Sequence, residues 1–224
     1  PFPSQVTPPM GPLHGGTSVN LSMGIAIGPG AICRFNGQNE TTATVASNGM
    51  SLLCTSPPSY YEQWVALEVK TLAYTQRVFS RVADFYYHAP MLVSSVYPQL
   101  GPMRGGTQVE VRGNGFLRAG NGLHCGWRVN SSLLLLTVAW WSEANEGSRV
   151  RCVSPEYNEL GLTEVSLCTN GQQFVWGAAT FLFQPVVTVA SVWPPMGASE
   201  GGTPLTVVGG GFTSASEALG MLHC

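Results

Sequence analysis

The stretch Pro98-Gln99-Leu100-Gly101-Pro102-Met103-Arg104-Gly105-Gly106-Thr107-Gln108-Val109 decides the architecture, because the chain writes it three times. An earlier copy reads Pro8-Pro9-Met10-Gly11-Pro12-Leu13-His14-Gly15-Gly16-Thr17-Ser18-Val19. A later copy reads Pro194-Pro195-Met196-Gly197-Ala198-Ser199-Glu200-Gly201-Gly202-Thr203-Pro204-Leu205. From Gly15 to Gly105 is 90 residues, and from Gly105 to Gly201 is 96. A period that long is a whole domain. Other features keep step. Cys33, Cys125 and Cys224 are 92 and 99 apart, and Cys54 and Cys152, each followed by a Ser-Pro, are 98 apart. Phe85-Tyr86-Tyr87 and Phe181-Leu182-Phe183 are 96 apart, and each runs toward a proline, Pro90 or Pro185.

Working outward from the motif, Thr107 to Arg112 alternates inward and outward residues, as does Thr203 to Val208. Gly113-Asn114-Gly115-Phe116 and Gly209-Gly210-Gly211-Phe212 supply positive φ angles that end a strand. Val65 to Val69 and Val165 to Leu167 alternate again, and no stretch has capped helical periodicity. Short strands between turn residues, about 90 per unit, describe a β-sandwich. The expected fold is all-β, as tandem immunoglobulin-like sandwiches. The expected domains are residues 1–90, 91–185 and an incomplete third at 186–224.

The run from Pro98 to Phe116 resembles the IPT/TIG family of immunoglobulin-like domains, over two full repeats and the front of a third. The first repeat departs from the family pattern, with Gly24-Ile25-Ala26-Ile27-Gly28 where Gly-x-Gly-Phe is expected. The resemblance implies fold more than function. Such domains occur in plexins, the hepatocyte growth factor receptor, fibrocystin-like ectodomains, bacterial surface proteins, starch-degrading enzymes and some transcription factors.

The resemblance and the shared cysteine spacing favour disulfides within each repeat, Cys33 with Cys54 and Cys125 with Cys152. Loops of this length would stabilise each domain by roughly 3 kcal/mol. The alternative is four reduced, buried thiols, which fits a cytosolic chain. Cys168 is aligned with Glu68 of the first repeat and has no family partner, and the partner of Cys224 would lie beyond that residue. Both are expected to be unpaired or to bridge to another chain. No metal site is expected. Cys-x-x-Cys is absent, and Leu123-His124-Cys125 and Leu222-His223-Cys224 read as outward strand histidines.

Asn20-Leu21-Ser22, Asn39-Glu40-Thr41 and Asn130-Ser131-Ser132 are N-glycosylation sequons, consistent with the secretory route the cysteines suggest. Thr7-Pro8-Pro9 and Ser56-Pro57-Pro58-Ser59 read first as loop prolines and second as hydroxyproline or O-glycan sites.

Composition excludes several functions. Only 10% of residues are charged, with one lysine, Lys70, and one aspartate, Asp84, for a net charge of −2. That speaks against nucleic-acid binding by phosphate neutralisation. The longest apolar stretch, Leu133 to Trp141, is too short for a membrane helix. No signal peptide is visible, and both ends read as cut points in a longer protein. Catalytic motifs are absent: no nucleophile elbow, no His-Glu-x-x-His, no phosphate loop. Glu143 and Glu146 read as an exposed polar turn, not paired catalytic carboxylates. Trp140-Trp141, on a strand, would put one ring in the core and one outside, free to stack on a sugar or a subunit. No enzyme activity and no cofactor are expected.

Sandwiches joined only at Pro90-Met91 and Pro185-Val186 would form a stiff rod. The expected role is an extracellular, glycosylated structural repeat protein, secreted or at the cell surface. It would be a rod or a subunit of a surface-associated fibre that self-associates head to tail, with its third repeat completed by the same chain or a neighbour. The alternative is a receptor or adhesion ectodomain that binds a protein or glycan ligand.

Overall fold

The computed structural model describes residues 5–23, 27–71, 78–118, 122–130, 133–142 and 148–219. The chain divides into two compact units. One comprises residues 1–92 with segments 115–124 and 167–175, and the other residues 93–114, 125–166 and 176–224.

The first sandwich runs β1 (Gln5–Thr7), β2 (Met10–Pro12), β3 (Ser18–Ser22), β4 (Ile32–Phe35), β5 (Asn39–Thr42), β6 (Thr44–Val45), β7 (Ser51–Thr55), β8 (Gln63–Lys70) and β9 (Ser80–His88). Its sheets have the orders β1-β3-β7-β6 and β2-β9-β8-β4-β5. The alternation read from the sequence buries Val65, Leu67 and Val69 between them, and β3 adds Val19 and Leu21. The disulfide Cys33–Cys54 ties β4 of one sheet to β7 of the other. Phe35, Phe85 and Tyr87 form an edge-to-face cluster, with Phe35 and Phe85 centroids 5.5 Å apart at 85°.

The second sandwich runs β10 (Leu92–Tyr97), β11 (Leu100–Pro102), β12 (Gln108–Asn114), β13 (His124–Arg128), β14 (Leu134–Trp141), β15 (Arg149–Val153), β16 (Gly161–Cys168) and β17 (Val175–Gln184). These strands pair in one continuous order, β10-β12-β15-β14-β13-β16-β17-β11. Trp140 pairs with Arg151 as Thr44 pairs with Leu53, so β14 occupies the place of β5 and β6 together. One unbroken strand hydrogen-bonds on both sides, and the two layers join through it. Cys125–Cys152 again links the layers, beside a cluster of Trp127, Phe181 and Phe183.

The third repeat contributes β18 (Thr188–Trp193), antiparallel to β19 (Thr206–Gly210), and a short helix α1 (Ser214–Ala218). The helix is a departure from the helix-free reading. Thr213 caps it, its hydroxyl accepting the Ser216 N–H at 3.3 Å. One turn is too short to register as periodicity. Thr7–Pro8, Tyr97–Pro98 and Trp193–Pro194 are cis peptides.

Two motifs that looked separate in the sequence form one device. In the second sandwich Ser154 Oγ accepts the Thr107 N–H at 3.1 Å. The Ser154 carbonyl takes the Gly106 N–H, and the Ser154 N–H reaches the Thr107 carbonyl. Ser56 does the same for Gly16 and Thr17. The serine after the second cysteine therefore ties down the Gly-Gly-Thr turn. Gly105 itself sits at φ +72°, where a Cβ would lie 2.6 Å from the Pro155 carbonyl.

A small difference between the cores makes a prediction. Thr41 and Thr137 are equivalent by strand register. Trp127 donates its indole N–H to Thr137 Oγ1 at 2.9 Å. The first sandwich has Phe35 in that place, and the buried Thr41 hydroxyl has no partner. Thr41→Val is expected to raise stability by about 1 kcal/mol, while Thr137→Val, which strips Trp127 of its acceptor, lowers it by about 1–2 kcal/mol. Urea unfolding of the two variants measures both signs.

Candidate binding surfaces

Asn20 is exposed in the middle of β3, opposite Leu53, and Asn39 is exposed at the start of β5. Asn130 is exposed just past β13, its Oδ1 accepting the Leu133 N–H at 2.8 Å. Cys224, His223, Glu143, Glu146, Ser131, Ser132 and residues 24–26 lie outside the described residues. His124 is half-buried, with Nδ1 donating to the Gly122 carbonyl at 3.0 Å. Among the described residues no three metal-ligating side chains converge.

Cys168 is unpaired and fully buried, which leaves no exposed sulfur for a bridge between chains in this fold. Its sulfur accepts the Gly171 N–H at 3.0 Å and the Asn170 N–H at 3.4 Å. Burial pushes the thiol pKa up, so it stays protonated. Glu68 lies opposite Arg34 on β4, and the Ser166 hydroxyl donates to the Gly126 carbonyl at 3.1 Å.

The segment after Cys168 holds contacts that sequence reasoning missed. Thr169 and Asn170 are buried. The Gln172 amide mimics a strand neighbour, taking the Ser18 N–H and giving its own N–H to the Ser18 carbonyl, both at 2.8 Å. Asn170 Nδ2 reaches the Met10 carbonyl, and Thr17 donates to Gln173 Oε1 at 3.2 Å. His88, buried beside this segment, donates from Nδ1 to the Ala89 carbonyl at 2.8 Å and accepts from Thr169 at Nε2. Burial lowers its pKa, which keeps the ring neutral.

Three surfaces expose more apolar area than a solvated sandwich requires. The first is an aromatic ledge of Tyr60, Tyr61, Trp64 and Tyr86, all on the first unit. Trp64 is 62% exposed and pairs across the strands with Tyr86, centroids 5.0 Å apart. Tyr86 donates to the Glu62 carboxylate at 2.6 Å, which raises the phenol pKa and fixes the ring. The second is the outer face of β14: Leu134, Leu136, Val138 and Trp140. Register places Glu40, Thr42 and Thr44 at the positions of Leu136, Val138 and Trp140. The fold therefore accepts polar residues there, and the apolar run Leu133 to Trp141 is not a demand of the core.

The third surface belongs to β18 and β19. Val93 and Val109 are 1% and 0% exposed, whereas Val189 and Leu205, 96 residues on, are 58% and 55% exposed. Phe116 is 4% exposed and Phe212 42%. Core-type residues of the third repeat thus face outward among the described residues.

No family profile and no curated protein sequence matches the chain. Among solved structures it is similar to the plexin A4 extracellular region, at 17% identity over 81% of this chain and 18% of that one, TM-score 0.48. It is also similar to the Escherichia coli adhesin FdeC, at 13% identity over 85% and 68% of the two chains, TM-score 0.32. For chicken CNTN1 FN1–FN3 domains the figures are 10% identity, 82% and 64%, and a TM-score of 0.37. The chain spans only 18% of the length of the plexin chain. On its own sheet orders and the disulfides that link facing layers, the chain is all-β and built of immunoglobulin-like sandwiches.

Proposed function

We propose that this is a non-enzymatic, extracellular, glycosylated structural protein of the IPT/TIG type, a rod or fibre subunit that assembles through its repeats. Its repeats run over residues 1–90, 91–185 and 186–224. The supporting observation is the outer face of β14, where Leu136, Val138 and Trp140 are exposed at places that the first repeat fills with Glu40, Thr42 and Thr44. Exposed apolar surface of this kind is unfavourable in water and marks a contact with another chain. The two disulfides favour an oxidising compartment. Few charges leave glycans and neighbouring subunits to keep the surface solvated or covered.

Sedimentation velocity on the chain secreted from a eukaryotic host tests this. Concentration-dependent association is expected, weakened roughly tenfold by Val138→Asp through an added interfacial charge. The substitution leaves the first two cores untouched. A monomer at all concentrations overturns fibre assembly. The aromatic ledge supports the second reading, an ectodomain that stacks a glycan or protein ligand on Trp64 and Tyr86.

A further inference from the structure

We propose that the cleft beside Asn130 seats the first sugar of an N-glycan carried by that residue; this rests on the reading that the chain is glycosylated. The cleft is open, about 500 Å³, and lined by Arg128, Asn130, Leu162, Thr163, Glu164 and Thr180. Its side chains are arranged for a pyranose. The Arg128 guanidinium lies 3.9 Å from the centre of the Trp176 ring and pairs with the Glu164 carboxylate. Stacked on one face and paired at one edge, it is a flat, oriented surface rather than a swinging side chain. Leu162, 64% exposed, adds an apolar wall.

An N-acetylglucosamine ring has complementary parts. Its C–H face covers Leu162 and the guanidinium plane. Its hydroxyls donate to Glu164 or exchange hydrogen bonds with Thr180. The acetamide oxygen accepts from an Arg128 N–H. A free sugar would bind so shallow a site weakly. Attachment to Asn130, itself part of the lining, makes the event intramolecular, at an effective concentration of about the millimolar range. Covering Leu162 also removes an exposed apolar group at no cost in folding.

The test uses the glycosylated chain with leucine methyl labels, trimmed by an endoglycosidase to a single N-acetylglucosamine, with Asn130→Gln as the sugar-free reference. Mass spectrometry reads occupancy at each sequon. The expected result is nuclear Overhauser contacts between sugar protons and the Leu162 methyls, with a shifted Trp176 indole N–H relative to Asn130→Gln. Leu162→Ser, at an exposed position, should reduce the indole shift while leaving Asn130 occupancy unchanged. An occupied Asn130 whose sugar shows narrow lines and no contact with Leu162 overturns this inference alone. An Asn130 left empty while Asn20 or Asn39 is occupied overturns glycosylation at this site. Three empty sequons overturn the glycoprotein reading itself.

Discussion

Gly101→Ala is expected to destabilise the second sandwich by about 3 kcal/mol, at the upper end of overpacking costs. A Cβ at that position would overlap Thr107 Oγ1 and stand 2.8 Å from Phe181 Cζ. Phe181 is fully buried and packs edge-to-face on Trp127 and Phe183, so it has nowhere to retreat. Gly197→Ala is the control. Its Cβ would meet Thr203 Oγ1 at 2.7 Å, but Gly197 is exposed and the neighbour can turn away. That change should cost under about 1 kcal/mol, in the range of ordinary surface substitutions. Thr107→Ala should rescue Gly101→Ala in part, because it removes the overlapping hydroxyl. It spares the Thr107 N–H bond to Ser154, which is a backbone bond. Denaturant unfolding of the four chains gives the coupling. An additive double mutant would show that the Gly-Thr contact is not what holds this turn.

Replacing Cys125 and Cys152 by alanine is expected to cost about 3 kcal/mol, from a bridge that closes 27 residues and whose loss frees the unfolded chain. The bridge between Cys33 and Cys54 closes 21 residues and should contribute about as much. All four sulfurs are fully buried, so reductant acts only on chains that open. Alkylation read peptide by peptide should therefore leave Cys33, Cys54, Cys125, Cys152 and Cys168 unlabelled under native reducing conditions. All five should label together with unfolding of their sandwich. Labelling of Cys168 in a folded chain would show that the segment after it opens independently.

How far the sequence could be read varied by element. The triplicated Gly-Gly-Thr motif located equivalent turns because close backbone approach at Gly105 and the Gly101 contact with Thr107 leave few alternatives. Strands β8 and β12 were legible because alternation has a period of two and their inward residues are apolar. Repeat alignment is least legible at Cys168, where identity of residue type with the first repeat is lost. The candidate sites were less legible still. The sequons were plain, but the cleft beside Asn130 needed Trp176, Arg128 and Leu162, which lie on three different strands.

From its sequence alone this protein is a string of disulfide-tied β-sandwiches with few charges. Those conclusions rest on glycine conformation and strand alternation, and, for the disulfides, on cysteine spacing together with what the IPT/TIG resemblance implies. Only the tertiary structure decided what each apolar residue is for. Leu136 and Glu40 hold equivalent places in equivalent strands, and Val93 and Val189 lie in matching strands. Whether such a residue is core, ledge or uncovered face depends on what packs against it. That is a property of long-range contacts, which the period of a strand does not carry.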